Sequence, residues 1–363
     1  MLPSPIKHIC ILRLSAIGDV CHAVAAVQAI QATHPDAAIT WIIGKIEYQL
    51  LKGLPGIEFV VFDKSQGKKA FTQLKIDLAD KHFDVLLQMQ VAFRANLATK
   101  IIPAKIKIGY DWHRAKELHT LFTNTRIKAQ TQAHVLESFF AFAEKIGVPE
   151  SAKHKLNWHI PVSDQDQGFA EKYIPEGQPC FIIAPSASNA ERNWTVEGYA
   201  ALAKYAEQKG FKSLLCGGPS SAEKNLAENI VSECGPNLIN LTGQTSLKQM
   251  LALLKRASLV LAPDTGPAHM AVTQGTPVIG LYAHSNPKRT GPYLYQDYVV
   301  EVYHKNLLKR FHKKDSQLPW GTRLKGKALM QEISIQAVID KFDQACSDFE
   351  LVSLDSETID NKE

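Results

Sequence analysis

Short runs of β-branched and aliphatic residues alternate with amphipathic helical patterns along most of the chain, and no other feature limits its fold as strongly. In the first half strands are read at HICILRL (8–14), AITWII (38–43), EFVVF (58–62), DVLLQM (84–89) and KIKIG (105–109), with helices at 20–33, 67–82, 93–102 and 132–146. The rhythm restarts with CFIIAP (180–185), KSLLCG (212–217), NLINL (237–241), SLVLAP (258–263) and PVIGLY (277–282), separated by helices at 195–209, 220–232, 246–255 and 266–274. Strands joined through helices of this length run parallel, because each helix carries the chain back to the end of the sheet where the strand before it began, and such crossovers are right-handed. Between the halves, Pro149, Pro161, Pro175, Gly177 and Pro179 mark a linker over 149–179. The expected architecture is α/β, with two doubly wound parallel-sheet domains facing each other across a cleft. In such sheets ligands bind beyond the carboxyl ends of the strands, so the loops after residues 14, 185, 217 and 263 are the places to look.

Composition narrows the class. A chain of 363 residues with 45% hydrophobic and 21% charged residues can bury two cores and is not a disordered polymer. Nothing approaches the ~18 consecutive apolar residues of a membrane helix. The start, MLPSPIKHICILRL, lacks the pattern of a secretory signal, so a cytoplasmic protein is expected. Six cysteines at 10, 21, 180, 216, 234 and 346 form no C-x-x-C pair, which speaks against a zinc site or a disulfide framework. The net charge of +5 is mild, but Lys305, Lys309, Arg310, Lys313, Lys314, Arg323, Lys325 and Lys327 face only Asp315 within 305–327. Such a segment is either a solvated loop or a contact for an anionic partner.

Three turns carry candidate chemistry. Arg13-Leu-Ser15-Ala-Ile-Gly18-Asp19-Val-Cys-His22 follows the first strand and opens a helix with one glycine, where a dinucleotide fingerprint needs three. Asp19 is placed either to take a proton from an attacking hydroxyl or simply to cap the helix. His22 reads as a structural histidine. In 184–195, Ser186, Ser188 and backbone amides suit phosphate oxygens, and Arg192 offers a charged fork for a diphosphate. Trp194 reads as core and Thr195 as an N-cap. Finally, Asp264-Thr265-Gly266-Pro-Ala-His269 ends an apolar strand and starts a helix at once. Free amides, the helix dipole and a glycine make an anion seat there, while Asp264 or Thr265 can equally cap the helix. Gly321–Ala328 only imitates a P-loop, since Ala328 replaces the magnesium-binding hydroxyl and no buried strand precedes it. No nucleic-acid-binding signature is present, and no nucleic-acid partner is expected.

Taken in order, Ser15-x-x-Gly-Asp-Val-x-His, Gly109-Tyr-Asp-Trp-His-Arg-Ala-Lys-Glu117, Arg192-x-Trp194 and Asp264-Thr-Gly-x-x-His269 resemble the bacterial ADP-heptose:lipopolysaccharide heptosyltransferases, glycosyltransferase family 9. The likeness spans about residues 7–350 and is greatest to the heptosyltransferases that add the first heptose to Kdo of the lipid A inner core. It implies the GT-B fold of two Rossmann-like domains and inverting transfer that needs no metal or other cofactor. It further implies ADP-L-glycero-D-manno-heptose as donor and Kdo-lipid A or the lipopolysaccharide inner core as acceptor. The place of work would be peripheral, at the anionic cytoplasmic face of the inner membrane.

Carried over by position, the resemblance makes Asp19 the catalytic base and assigns the donor to Ser186, Ser188, Arg192, Glu223, Asp264, Thr265, Gly266 and His269. Arg13, Ser15, Gly18, Arg94, Arg114 and Lys116 are the acceptor-side candidates. Residues 1–165 then form the acceptor-binding domain and 175–330 the nucleotide-sugar domain; the helix in 331–350 returns to the first domain, and 351–363 is a disordered acidic tail. The chain departs from the family at Gln88-Met-Gln90-Val, where relatives often read Asp-x-Gln-Gly, and at Arg192, which stands in place of a lysine. Transfer of another nucleotide sugar is the nearest alternative. A non-catalytic nucleotide-sugar-binding paralogue follows, and an NAD-dependent oxidoreductase is disfavoured by the missing glycines.

Overall fold

The computed structural model describes residues 5–131 and 133–351. They divide into two compact units, one made of the chain up to Pro161 together with Ser316–Gly321, the other of Val162–Asp315 and the chain from Thr322 onward.

In the first unit the elements are β1 (His8–Leu12), α1 (Ile17–Thr33), β2 (Ala38–Gly44), α2 (Lys45–Leu51), β3 (Ile57–Phe62), α3 (Lys68–Asp77), β4 (Phe83–Gln88), α4 (Phe93–Ile101), β5 (Ala104–Gly109), β6 (Thr125–Arg126) and α5 (Val135–Lys145). Its six strands are all parallel, in the order β3-β2-β1-β4-β5-β6. β1 is covered on both faces, which is why its residues form an unbroken apolar run rather than an alternating one. α1 is buried from Val20 to Val27, as its Ala- and Val-rich sequence requires.

The second unit contains α6 (Asp164–Tyr173), β7 (Cys180–Ile183), α7 (Val196–Gln208), β8 (Lys212–Leu215), α8 (Ser221–Cys234), β9 (Ile239–Asn240), α9 (Leu247–Arg256), β10 (Leu259–Pro263), α10 (Gly266–Thr273), β11 (Val278–Tyr282), α11 (Pro287–Thr290), β12 (Val299–Glu301), α12 (Tyr303–Phe311) and α13 (Ile335–Asp348). Its parallel sheet runs β12-β11-β10-β7-β8-β9, the same order as the first when counted from its own first strand. Both sheets therefore reverse direction once, between β1 and β4 and between β7 and β10, and ligand sites in doubly wound sheets lie at such reversals. Two Rossmann-like sheets of the expected α/β class are present.

Three expectations need correction. The stretch taken as linker contains α6, capped by the Ser163 hydroxyl, which accepts from the Asp166 N–H at 3.2 Å. With Ala170 as its one buried residue, this helix carries almost no apolar signal. The last helix, α13, packs within the second unit instead of returning to the first. Phe342 makes edge contacts with Phe181 and Phe211, ring centroids 5.2 and 5.3 Å apart, and this core absorbs the apolar face of the helix. The segment that does join the first unit is Ser316–Gly321, whose Trp320 indole N–H donates to the Ala133 carbonyl at 2.6 Å. Residues 352–363, most of the predicted tail, lie outside the described residues.

Candidate active site

In the first unit the chain leaves β1 through Arg13–Ala16, at the reversal of the sheet. α1 starts earlier than its apolar pattern suggests, so Asp19 occupies the first turn. One carboxylate oxygen, Oδ2, accepts from the Ala16 N–H at 3.2 Å and pairs with the Arg13 guanidinium. Asp19 thus caps its helix and still presents a partly exposed carboxylate. Arg13 is itself held, donating to the Met89 carbonyl at 2.6 Å and lying over the Phe139 ring. It is buried and pairs with Asp19.

The departing glutamines explain themselves here. Gln90 accepts from the Leu14 N–H at 2.7 Å and donates to Ser15 Oγ at 3.3 Å, tying the β4 loop to the β1 loop. Gln88 is fully buried and donates to Asn96 Oδ1 at 3.0 Å. Asn96 Oδ1 also faces His119 Nδ1 at 3.0 Å, and His119 Nε2 accepts the Tyr110 N–H at 3.0 Å. That pair of contacts requires the neutral Nδ1–H ring. Burial, with a further contribution from the Arg126 charge, lowers its pKa to about 4. Glu47, on the first turn of α2, is buried as well, and its carboxyl is pushed up by desolvation; it lies against Gly44, where a side chain would collide with it.

Of the remaining acceptor candidates, Gly18 is buried in α1, while Arg94 and Lys116 are exposed. Arg114 is buried, bonded to Ser138 Oγ, and its guanidinium lies 4.8 Å from the Trp320 ring centroid. Close to Arg94 and Lys116 in sequence, the unit also exposes Phe93, Trp112, Leu118 and Leu121, which no motif pointed to. Glu117 ties its loop to the start of α4, accepting from the Phe93 N–H through its carboxylate and from Asn96 Nδ2 through its carbonyl.

In the second unit, Asp264 is the hub at the β7/β10 reversal. Its Oδ2 accepts from Ser285 Oγ at 2.7 Å and from Arg192 at 3.4 Å, and its Oδ1 stands 3.7 Å from His269 Nε2. Burial alone would raise this carboxyl; His269, Ser285 and Arg192 outweigh burial and hold it at about 2. Arg192 also donates to the Asp264 carbonyl at 3.2 Å and to Ser188 Oγ at 2.8 Å. A guanidinium has about five N–H donors, so donors are left over for a phosphate.

Thr265 stands at the N-cap of α10, but its hydroxyl donates to the Ser186 carbonyl at 3.0 Å and does not cap. Thr265 therefore leaves the first N–H groups of α10, those of Gly266 and Ala268 since Pro267 has none, without a capping hydroxyl, and they suit an anion. Glu223 follows β8 and is committed to its own loop, accepting from the Gly218 N–H at 3.0 Å and Ser220 Oγ at 2.7 Å. Its place beside Gly217 and Gly218 is set by that loop: a side chain at Gly218 would meet the carboxylate at 2.7 Å. Ser285, which no motif flagged, joins this cluster through Asp264.

These two sites sit in a chain with clear relatives. A family model described as glycosyltransferase family 9 (heptosyltransferase) matches residues 71–320. The chain is 47% identical over 333 residues to the lipopolysaccharide core heptosyltransferase OpsX of Haemophilus influenzae, covering 92% of this chain and 95% of that protein. It is 22% identical over 320 residues to lipopolysaccharide heptosyltransferase 1 of Escherichia coli K12, covering 83% and 95%. Among solved structures it superposes on a family 9 glycosyltransferase from Veillonella parvula with TM-score 0.76 and 21% identity, covering 94% and 97%. Against E. coli heptosyltransferase WaaC with ADP the TM-score is 0.71 at 19% identity, covering 93% and 100%. The chain belongs to glycosyltransferase family 9, the heptosyltransferases.

Proposed function

We propose that this enzyme moves heptose from ADP-L-glycero-D-manno-heptose onto the Kdo region of the lipopolysaccharide inner core, with inversion and without a metal ion. The observation that carries the reading is the uncapped start of α10 ringed by Arg192, Asp264, His269 and Ser285, in a chain 47% identical to a core heptosyltransferase.

In this reading the second unit holds the ADP-sugar. The α10 amides and Arg192 face the diphosphate, and Asp264 keeps Arg192 aimed. In the first unit the Asp19 carboxylate accepts the proton of the acceptor hydroxyl, while Arg13 and the Ala16 N–H fix its direction. The hydroxyl oxygen bonds to the anomeric carbon from the face opposite the diphosphate. The anomeric carbon–oxygen bond then breaks, and its electron pair leaves on ADP. Negative charge grows on the diphosphate as this happens, so preorganised amides and a guanidinium lower the barrier most.

An acceptor that is both phosphorylated and lipid-linked suits the mixture of Arg94 and Lys116 with exposed Phe93, Trp112, Leu118 and Leu121. No helix among the described residues is long and apolar enough to cross a membrane. A peripheral position on the anionic cytoplasmic face of the inner membrane fits a lipid-anchored acceptor and the basic 305–327 segment.

The test is ADP release from ADP-heptose, with and without deacylated Kdo-lipid A acceptor, in EDTA, with the product anomer assigned by NMR. Acceptor-dependent release undiminished by EDTA and an inverted product are expected. Tight ADP binding with no acceptor-dependent release, or turnover only with a different ADP-sugar, overturns the assignment.

A further inference from the structure

We propose that α12, with the 323–327 segment beside it, is a docking surface for an anionic lipid bilayer. This names the face behind the membrane reading above and rests on that reading.

α12 buries Tyr303, Asn306 and Leu307 and turns Leu308 outward. Leu308 is 55% exposed and Phe311, one turn on, is 38% exposed. Residues three apart share a helix face, so the two apolar side chains form one exposed pair. Around them Lys305, Lys309, Arg310, Lys313 and Lys314 are all exposed. Arg310 donates to the Lys325 carbonyl at 2.9 Å, which draws the exposed Arg323, Lys325 and Lys327 alongside.

The nearby acids do not neutralise this rim. Glu301 and Asp315 lie 3.0 and 3.4 Å from His304, and Glu332 takes Lys305 at 3.5 Å. Lys309, Lys313, Arg323, Lys325 and Lys327 have no ion pair among the described residues.

Cations alone would suit any polyanion. An aliphatic and an aromatic side chain set among them suit a surface that is charged outside and apolar a few ångströms further in. Lys and Arg stems reach back to headgroups while Leu and Phe enter the acyl boundary. A nucleic acid would leave Leu308 in water.

The full-length protein is mixed with vesicles of phosphatidylethanolamine and phosphatidylglycerol, or of phosphatidylcholine alone, and co-sedimented at low and high salt. Binding to the anionic vesicles only, weakened by salt, is expected. Leu308→Ser/Phe311→Ser should weaken it roughly tenfold or more, and Lys309→Glu/Lys313→Glu at least about 25-fold, at about fivefold per lysine. Leu294→Ser, which changes a leucine 48% exposed elsewhere in the same unit, should bind as the unaltered protein does. Transfer to the deacylated, water-soluble acceptor should stay within about twofold in every variant, against a loss of about tenfold for vesicle-borne acceptor. Failure of the unaltered protein to bind anionic vesicles, or full binding by Leu308→Ser/Phe311→Ser, overturns the docking surface. So does an equal loss on the soluble acceptor, which would assign α12 to acceptor recognition. Retention on DNA without vesicle binding would make the surface a polyanion site instead. Absence of any transfer by the unaltered protein counts against the transferase reading and leaves the vesicle result to decide docking alone.

Discussion

The Ser285 hydroxyl donates to Asp264 Oδ2 at 2.7 Å, joining the end of β11 to the end of β10 across the mouth of the proposed donor site. Asp264 in turn holds Arg192, so a serine with no motif of its own sets the aim of the guanidinium proposed to meet the diphosphate. A hydrogen bond to a buried charge contributes about 1.5–3 kcal/mol. Ser285→Ala should therefore weaken ADP binding about tenfold by calorimetric titration, and Ser285→Thr, which keeps the hydroxyl, should restore most of it. Unchanged affinity in Ser285→Ala would remove Ser285 from the site.

Asp19 and Arg13 give a separate expectation. Losing a general base costs about 10²–10⁴-fold in rate, so Asp19→Asn should lower kcat in that range while the Kd for ADP, proposed to sit on the other unit, stays put. Arg13→Lys keeps the charge but not the planar fork that also reaches the Met89 carbonyl, and should fall between the two. Turnover near normal in Asp19→Asn would reduce Asp19 to a helix cap.

How much of this was legible in the sequence follows from what each signal requires. Buried parallel strands such as β1, β4, β7 and β10 advertise themselves as unbroken apolar runs, and the helices between them set the topology. β6 and β12 are two and three residues long and carry no period at all, whereas β9, only two residues long, falls within the NLINL run read over 237–241. α6 escaped because a polar helix with one buried residue next to clustered prolines looks like a linker. Within the sites, Asp19, Asp264 and Arg192 were visible because each belongs to a local motif. Ser285, Gln90 and the true partner of Thr265 were not, because their bonds span 21, 75 and 79 residues and exist only once the loops are brought together.

His119 makes the stability of the first unit depend on acid. Its ring titrates at about 4 in the folded chain, against about 6.5 unfolded. Between those values the unfolded chain binds a proton that the folded one refuses, so stability is full above about 6.5 and falls as pH drops toward 4. The loss should reach about 3 kcal/mol. His119→Gln can still donate to Asn96 and accept from Tyr110 but does not titrate. Denaturant unfolding at pH 5 and 7.5 should therefore show a smaller acid loss in the variant. Equal losses would place the acid sensitivity elsewhere.

Arg114 and Trp320 decide whether one proposed acceptor contact survives. The guanidinium lies 4.8 Å from the indole centroid, and the indole N–H is bonded to Ala133, so Trp320 anchors Ser316–Gly321 in the first unit. Trp320→Phe keeps a ring for Arg114 and loses the hydrogen bond, a cost of about 1 kcal/mol; Trp320→Leu loses both. A double-mutant cycle of Arg114→Gln with Trp320→Leu should return a coupling of about 1 kcal/mol, as expected for a cation over a ring in a partly desolvated place. Arg114→Gln should then lower the unfolding midpoint while leaving the KM for acceptor within about twofold of normal, since the coupling is spent on folding. Zero coupling with a raised KM would reverse the assignment: Arg114 would be free of Trp320 when substrate is present and would rejoin Arg94 and Lys116 as a group that grips the acceptor.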